Sequence, residues 1–191
     1  GAQTNGSDAS GAIQACIDAA IATGKGVYIP AGQYTIGAGL RLGTGSTTNF
    51  YVGVTIFGDG DGGSPAYGTG GTRLKYTGGA ATALLTVNQD VWRYLHIRDL
   101  SLYCDIPTAG PVTYGVLNVS SEVSTQRISR VSVWGVSIAF GELTGTGENG
   151  EFFHYENCSG RSVDKFWYLA AEQGYVHSFV DCQCQINANG H

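Results

Sequence analysis

Four short segments in the second half of the chain repeat one pattern, and this repetition constrains the fold more than any other feature. They are Ile97-Arg98-Asp99-Leu100-Ser101-Leu102, Ile128-Ser129-Arg130-Val131-Ser132-Val133, Tyr155-Glu156-Asn157-Cys158-Ser159-Gly160 and Phe179-Val180-Asp181-Cys182-Gln183-Cys184. Each runs apolar, two mostly polar residues, apolar or small, polar, then small or apolar. The fourth positions, Leu100, Val131, Cys158 and Cys182, lie 31, 27 and 24 residues apart. A recurrence at such spacing fits a solenoid with one strand per turn and loops of varied length. Equivalent residues then stack about 4.8 Å apart along the axis. Leu100, Val131, Cys158 and Cys182 form an inward column, with Leu102, Val133 and Cys184 beside it. Each turn has a second strand, at Tyr114 to Val119, Val136 to Phe140 and Val163 to Leu169. A β-sandwich of the same short strands is the competing arrangement.

The first half agrees with either. Residues 7–22 have the spacing of an amphipathic helix, with Ile13, Ile17, Ala20 and Ile21 on one face, Ser7 or Asp8 as cap, and Thr23-Gly24 as stop. The period then switches to two, in short apolar runs at Val27-Tyr28-Ile29, Leu40-Arg41-Leu42, Val54-Thr55-Ile56-Phe57, Leu74-Lys75-Tyr76 and Leu84-Leu85-Thr86-Val87, punctuated by turn residues. Thirty glycines and only 13% charged residues fit such a turn-rich chain.

The opening resembles that of the pectate-lyase (pectin-lyase-like) superfamily. Asp8-Ala9-Ser10-Gly11-Ala12-Ile13-Gln14-Ala15-Cys16-Ile17-Asp18-Ala19-Ala20 is similar to the family's helix, and Gly26-Val27-Tyr28-Ile29-Pro30-Ala31-Gly32-Gln33-Tyr34-Thr35-Ile36 to its first strands. Val54 to Gly60, Thr72 to Tyr76 and Ile97 to Leu102 match later family segments in order. The resemblance implies an all-β fold, a right-handed parallel β-helix with an N-terminal capping α-helix. Residues 1–191 would be one domain, with the helix over 7–23, coils over 26–191, and the whole the N-terminal part of a longer chain. It further implies polysaccharide-handling proteins: secreted lyases and hydrolases, or the spikes with which bacteriophages bind and cut bacterial surface glycans.

The totals exclude some roles. A net charge of −5 with ten basic residues scattered along the sequence argues against nucleic acid. No apolar run is long enough for a membrane-spanning helix, and the chain opens at Gly1 without a signal-like segment. Five cysteines without zinc spacing read as reduced, buried thiols. No ligand cluster for a metal is visible, and no cofactor is expected.

Site candidates come from the columns and from one loop. Asp99, Arg130, Asn157 and Asp181 occupy equivalent positions. Asp99 and Asp181 would lie three rungs apart, about 14 Å, too far for a glycosidase pair. Asp99 beside Arg130 reads as an interstrand ion pair. Tyr103 and Trp134, outward on adjacent rungs, are the candidate sugar-binding aromatics. The glycine-rich stretch from Gly141 to Glu151 is read as a solvated loop, and its Glu142, Glu148 and Glu151 are the candidate catalytic carboxylates. His96, His154 and His177 each stand alone in sequence. Trp92, Trp167 and Tyr168 read as structural.

The expectation is therefore a domain of a bacteriophage tailspike or tail fibre that binds polysaccharide and can also depolymerise it, homotrimeric and located in the virion tail. The alternatives are an extracellular polysaccharide lyase or glycoside hydrolase, or a non-catalytic structural or adhesive β-helix.

Overall fold

The computed structural model describes the chain except residues 1–3, 47–48, 52, 62–69, 89–90, 105–109, 121, 124, 144–148, 171–172 and 187–191; the side chains of 91, 122–123, 149–151 and 173–175 are likewise outside the description. One helix, α1 (Ser10–Thr23), precedes the strands. It begins three residues later than the sequence pattern suggests. Ser7 is turned back onto Asn5, and Asp8 forms a parallel bridge with Thr35, so this segment is already committed to the strand layer. Asp8 still satisfies the first amide. Its Oδ1 accepts from Ser10 N (2.8 Å), Ser10 Oγ (2.6 Å) and Gly37 N (3.0 Å), bonds that hold its carboxyl below the usual range. The helix stops at Gly24, whose φ of 65° lets its N–H turn back to the carbonyls of Ala20 and Ile21. Ser10, Ile13, Ile17 and Ala20 are buried, with Ile21 packed beside them, against the first coil.

Every strand pairing among the described residues is parallel, as a solenoid requires and a sandwich forbids. A five-stranded sheet stacks Leu40–Leu42, Ala81–Val87, Val112–Asn118, Ile138–Glu142 and Lys165–Leu169 in chain order. A larger sheet is built on Leu95–Cys104 and Gln126–Trp134, which bend midway and so contribute to two faces. Before the bend they stack with Val54–Phe57 and Asn149–Glu156; after it, with Thr72–Tyr76 and Ser159–Val163.

The registers are those of the repeat. Leu100 pairs with Val131, and Ser132 with Ser159, which in turn pairs with Gln183. Cys158 therefore stands in line with Val131 and with Cys182. Leu100, Val131 and Cys158 are buried in a core that runs continuously from α1 to Val163. All five cysteines are free, but only Cys104 and Cys158 are buried; Cys182 is half-buried, and Cys16 and Cys184 are exposed rather than packed inside.

The bend has a backbone cause that alternation alone does not announce. Asp99, Arg130, Asn157 and Asp181 all adopt left-handed φ, at 59°, 50°, 51° and 51°. One such residue per coil turns the strand from one face to the next, and Asn and Asp tolerate this region best. A second corner carries Phe152 (φ 55°) and Val176 (φ 37°) one coil apart. Gly58 serves a tight approach at the same level: a Cβ there would lie 2.5 Å from the Asp99 carbonyl oxygen.

Candidate functional site

Before the bend, the outward positions of the larger sheet build a polar patch. His96 is followed, one and two rungs on, by Arg127 and His154. Beside that column run Phe57, Arg98, Ser129 and Glu156. Arg98 lies over the Phe57 ring at 4.6 Å and binds the Asp99 carboxylate, which Arg130 also holds. Arg127 pairs with Glu156. These contacts hold both carboxyls below their ordinary pKa, Asp99 through Arg130 first and Glu156 through Arg127 first.

His96 sits among these guanidinium groups. Its Nε2 is 2.9 Å from Ser129 Oγ, and its Nδ1 is 3.4 Å from the hydroxyl of exposed Tyr94. Burial, then the charges of Arg127, Arg98 and Arg130, lower its pKa to about 4. The ring is therefore neutral at physiological pH. The histidines that stand alone in sequence thus have company: His96 and His154 share this patch, and His177 meets a carboxylate.

After the bend, the outward column is Lys75, Tyr103, Trp134, Arg161 and Gln185, in register rung by rung. Tyr103 and Trp134 do lie on adjacent rungs. Arg161, however, sits over the Trp134 ring, 5.1 Å from its centroid. That face of the indole is covered, so a ligand meets a guanidinium resting on an aromatic ring as well as ring edges. Next to the column lies a row of covered serines. Ser159 Oγ donates to Ser132 Oγ (2.8 Å), which donates to Asp61 Oδ2 (2.8 Å). Asp61 lies in the segment that follows Phe57.

The structure corrects the reading of the basic residues as scattered. Lys75, Arg98, Arg127, Arg130 and Arg161, five of the ten, stand on the outward sides of this one sheet before, at and after its bend, in a chain with net charge −5; Arg73, on the same sheet, is buried. They are too far apart in sequence to look clustered, and only the register brings them together.

Glu142 is elsewhere. It ends the strand Ile138–Glu142, pairs in register with Asn118, and is 1% exposed inside the coil rather than on a solvated loop. Its Oε1 accepts from Tyr155 Oη (2.6 Å) and Trp167 Nε1 (3.1 Å), and its Oε2 lies 2.9 Å from His177 Nε2. Burial, with the neighbouring carboxylate, pushes the Tyr155 hydroxyl well above its ordinary pKa. Sequence reasoning missed this because Glu142 sits beside glycines that look like the start of a loop. Glu148 lies outside the described residues. Glu151 is in the strand Asn149–Glu156, its side chain outside the description. Trp92 is fully buried, Trp167 packs against the core, and Tyr168 is exposed under Lys165.

Residues 1–89 match the family described as rhamnogalacturonase A/epimerase, pectate lyase-like. Among solved structures, the A-module of the mannuronan C-5 epimerase AlgE4 of Azotobacter vinelandii is similar. Its TM-score is 0.61 at 22% identity, over 95% of this chain and 56% of that one. This chain thus spans little more than half the length of the structure it matches. No curated protein sequence matches.

Proposed function

From the premise that this chain is a pectate-lyase-like right-handed parallel β-helix, we propose that it binds an acidic polysaccharide across the outer face of its larger sheet. The observation that carries this reading is the gathering of Lys75, Arg98, Arg127, Arg130 and Arg161, five of the ten basic residues, on the outward sides of that sheet before and after its bend, on a chain that is acidic overall. Arg161 makes no ion pair with a described residue, so it can take a sugar carboxylate while staying on Trp134. Binding of this kind weakens with salt.

The chemistry we assign to the face is proton transfer on a uronate. Hydrolysis needs one carboxyl kept protonated by a raised pKa. Asp99 and Glu156 are both ion-paired and lowered, the opposite of that need. Tyr94 and His96 instead offer a phenol against a neutral imidazole, beside arginines able to neutralise the carboxylate of a uronate. A bound carboxylate would also offset the charges that depress His96 and raise its basicity. The family resemblance suggests calcium, but among the described residues no group of three His, Cys, Asp or Glu could hold one. The substrate in the name of the matched epimerase, mannuronan, is itself a polyuronate.

The test is to incubate the chain with polyuronates in deuterated water. Unsaturated-uronate absorbance indicates elimination, and deuterium at C5 indicates epimerisation. Salt-sensitive binding of polyuronates but not of neutral glycans is expected. Equal binding of both, or of neither, overturns the proposal.

A non-catalytic adhesive role, as in a trimeric bacteriophage tailspike in the virion, is the second reading. The exposed apolar side chains Phe152 and Val176 at the second corner favour it, since subunit packing is one way to cover such a surface. Binding without turnover, with a trimer by light scattering, would select it.

A further inference from the structure

A cavity of about 710 Å³ shares no lining residue with the basic face. Asp18, Ile21, Arg41, Thr44, Tyr51 and Asn88 are among the residues that line it, where the C-terminal half of α1 passes the turn after Leu40–Leu42. Its polar groups are held from behind. Gln14 clamps the backbone of Arg41 at two points: Oε1 accepts from Arg41 N (2.9 Å), and Nε2 donates to Arg41 O (2.9 Å). The same Nε2 donates to Asp18 Oδ1 (2.7 Å). Tyr51 is backed by Trp92, ring centroids 4.6 Å apart. Asn88 is fixed by its Nδ2, which donates to Gly43 O (2.8 Å).

The outward capacity of these groups is left unused. The guanidinium of Arg41 makes no hydrogen bond or ion pair with any described residue, and Asp18 does not pair with it although both line one cavity. Asn88 Oδ1 accepts nothing from the described residues. A free cation, a carboxylate acceptor, an amide acceptor and an aromatic ring backed by the core thus share one concave space. That combination suits a ring bearing one carboxylate and several hydroxyls.

We propose that this cavity is a second saccharide site, taking a short uronate-bearing oligosaccharide. Its carboxylate binds Arg41, hydroxyls donate to Asp18 and Asn88 Oδ1, and a ring face rests on Tyr51. The choice of a sugar ligand rests on the polysaccharide reading above, but the site's geometry is independent of the basic face.

The experiment titrates isotope-labelled protein with tetragalacturonate, and with cellotetraose as a neutral control, following backbone amide shifts. Shifts at Asp18, Tyr51 and Asn88 with tetragalacturonate are expected. Arg41→Ala should weaken this binding about tenfold, the loss of one charge-assisted contact. Ala22→Trp, at an exposed position on the cavity wall, should abolish it by filling the space. Arg161→Ala should leave it intact while removing shifts around Trp134. No shifts at the cavity, or shifts that persist in Ala22→Trp, overturn the proposal. Loss confined to the Trp134 region would instead count against the basic face alone.

Discussion

Arg130 holds the carboxylate of Asp99, one coil earlier, through both Nε (2.5 Å) and Nη2 (3.0 Å), and both residues are left-handed at the same corner. The left-handed region costs an ordinary residue roughly 1–2 kcal/mol, and an exposed ion pair returns about 0.2–1 kcal/mol. Arg130→Gly should therefore be near neutral, since it relieves the backbone while losing the pair. Arg130→Val loses the pair and puts a β-branched side chain in the left-handed region, and should cost about 1–3 kcal/mol in urea unfolding. The Asp99 contribution is present above its ordinary pKa of 3.8 and is lost as pH falls below it.

His96 predicts a second acid limb. Its pKa of about 4 in the fold, against 6.5 unfolded, means that the unfolded chain takes up a proton first as pH falls. Stability from this group is complete above pH 6.5 and declines towards pH 4. His96→Gln should flatten the melting temperature over that interval. An unchanged slope would show that His96 titrates normally.

For the basic face, Trp134→Ala should weaken polyuronate binding by roughly 1–3 kcal/mol, by analogy with aromatic platforms. Arg161→Gln should cost about tenfold and lower the salt dependence, the mark of one lost charge contact. If Trp134→Ala folds and binds unchanged, the indole serves only to seat Arg161.

Glu142 separates structure from catalysis. Glu142→Leu orphans the Tyr155 hydroxyl and the Trp167 N–H inside the coil and should destabilise by about 3–5 kcal/mol. Glu142→Gln keeps an acceptor and should cost less. Turnover per folded molecule should be unchanged in Glu142→Gln. A large fall in kcat with normal stability would return Glu142 to the reaction.

Thiol accessibility checks the register. Iodoacetamide should label Cys16 and Cys184 readily, whereas Cys104 and Cys158 should react only on unfolding. Fast native labelling of Cys158 would refute its inward place above Val131.

The coil could be read from the sequence because its signal is local. Leu100, Val131 and Cys158 each sit in a six-residue pattern, and burying that pattern in a parallel ladder leaves one consistent register. The pairing of Asp99 with Arg130 follows from the same alignment. What needed the structure was set by contacts between coils or by backbone conformation. Arg161 over Trp134, Glu142 turned inward to His177, and Arg41 clamped by Gln14 join residues with no common motif. The corner itself was hidden because Arg130 is not a residue type that signals left-handed geometry.

The corners also bear on how such a chain can change over time. Equivalent positions are separated by 31, then 27, then 24 residues, yet the ladder continues through Ser101, Ser132, Ser159 and Gln183. Each coil resets its own alignment at the bend, so length gained or lost between coils does not propagate. Because loop closure costs grow only slowly with length, whole connecting segments can be exchanged like interchangeable heads on one handle. The scaffold is in that sense a grafting frame, on which a new loop needs no new core.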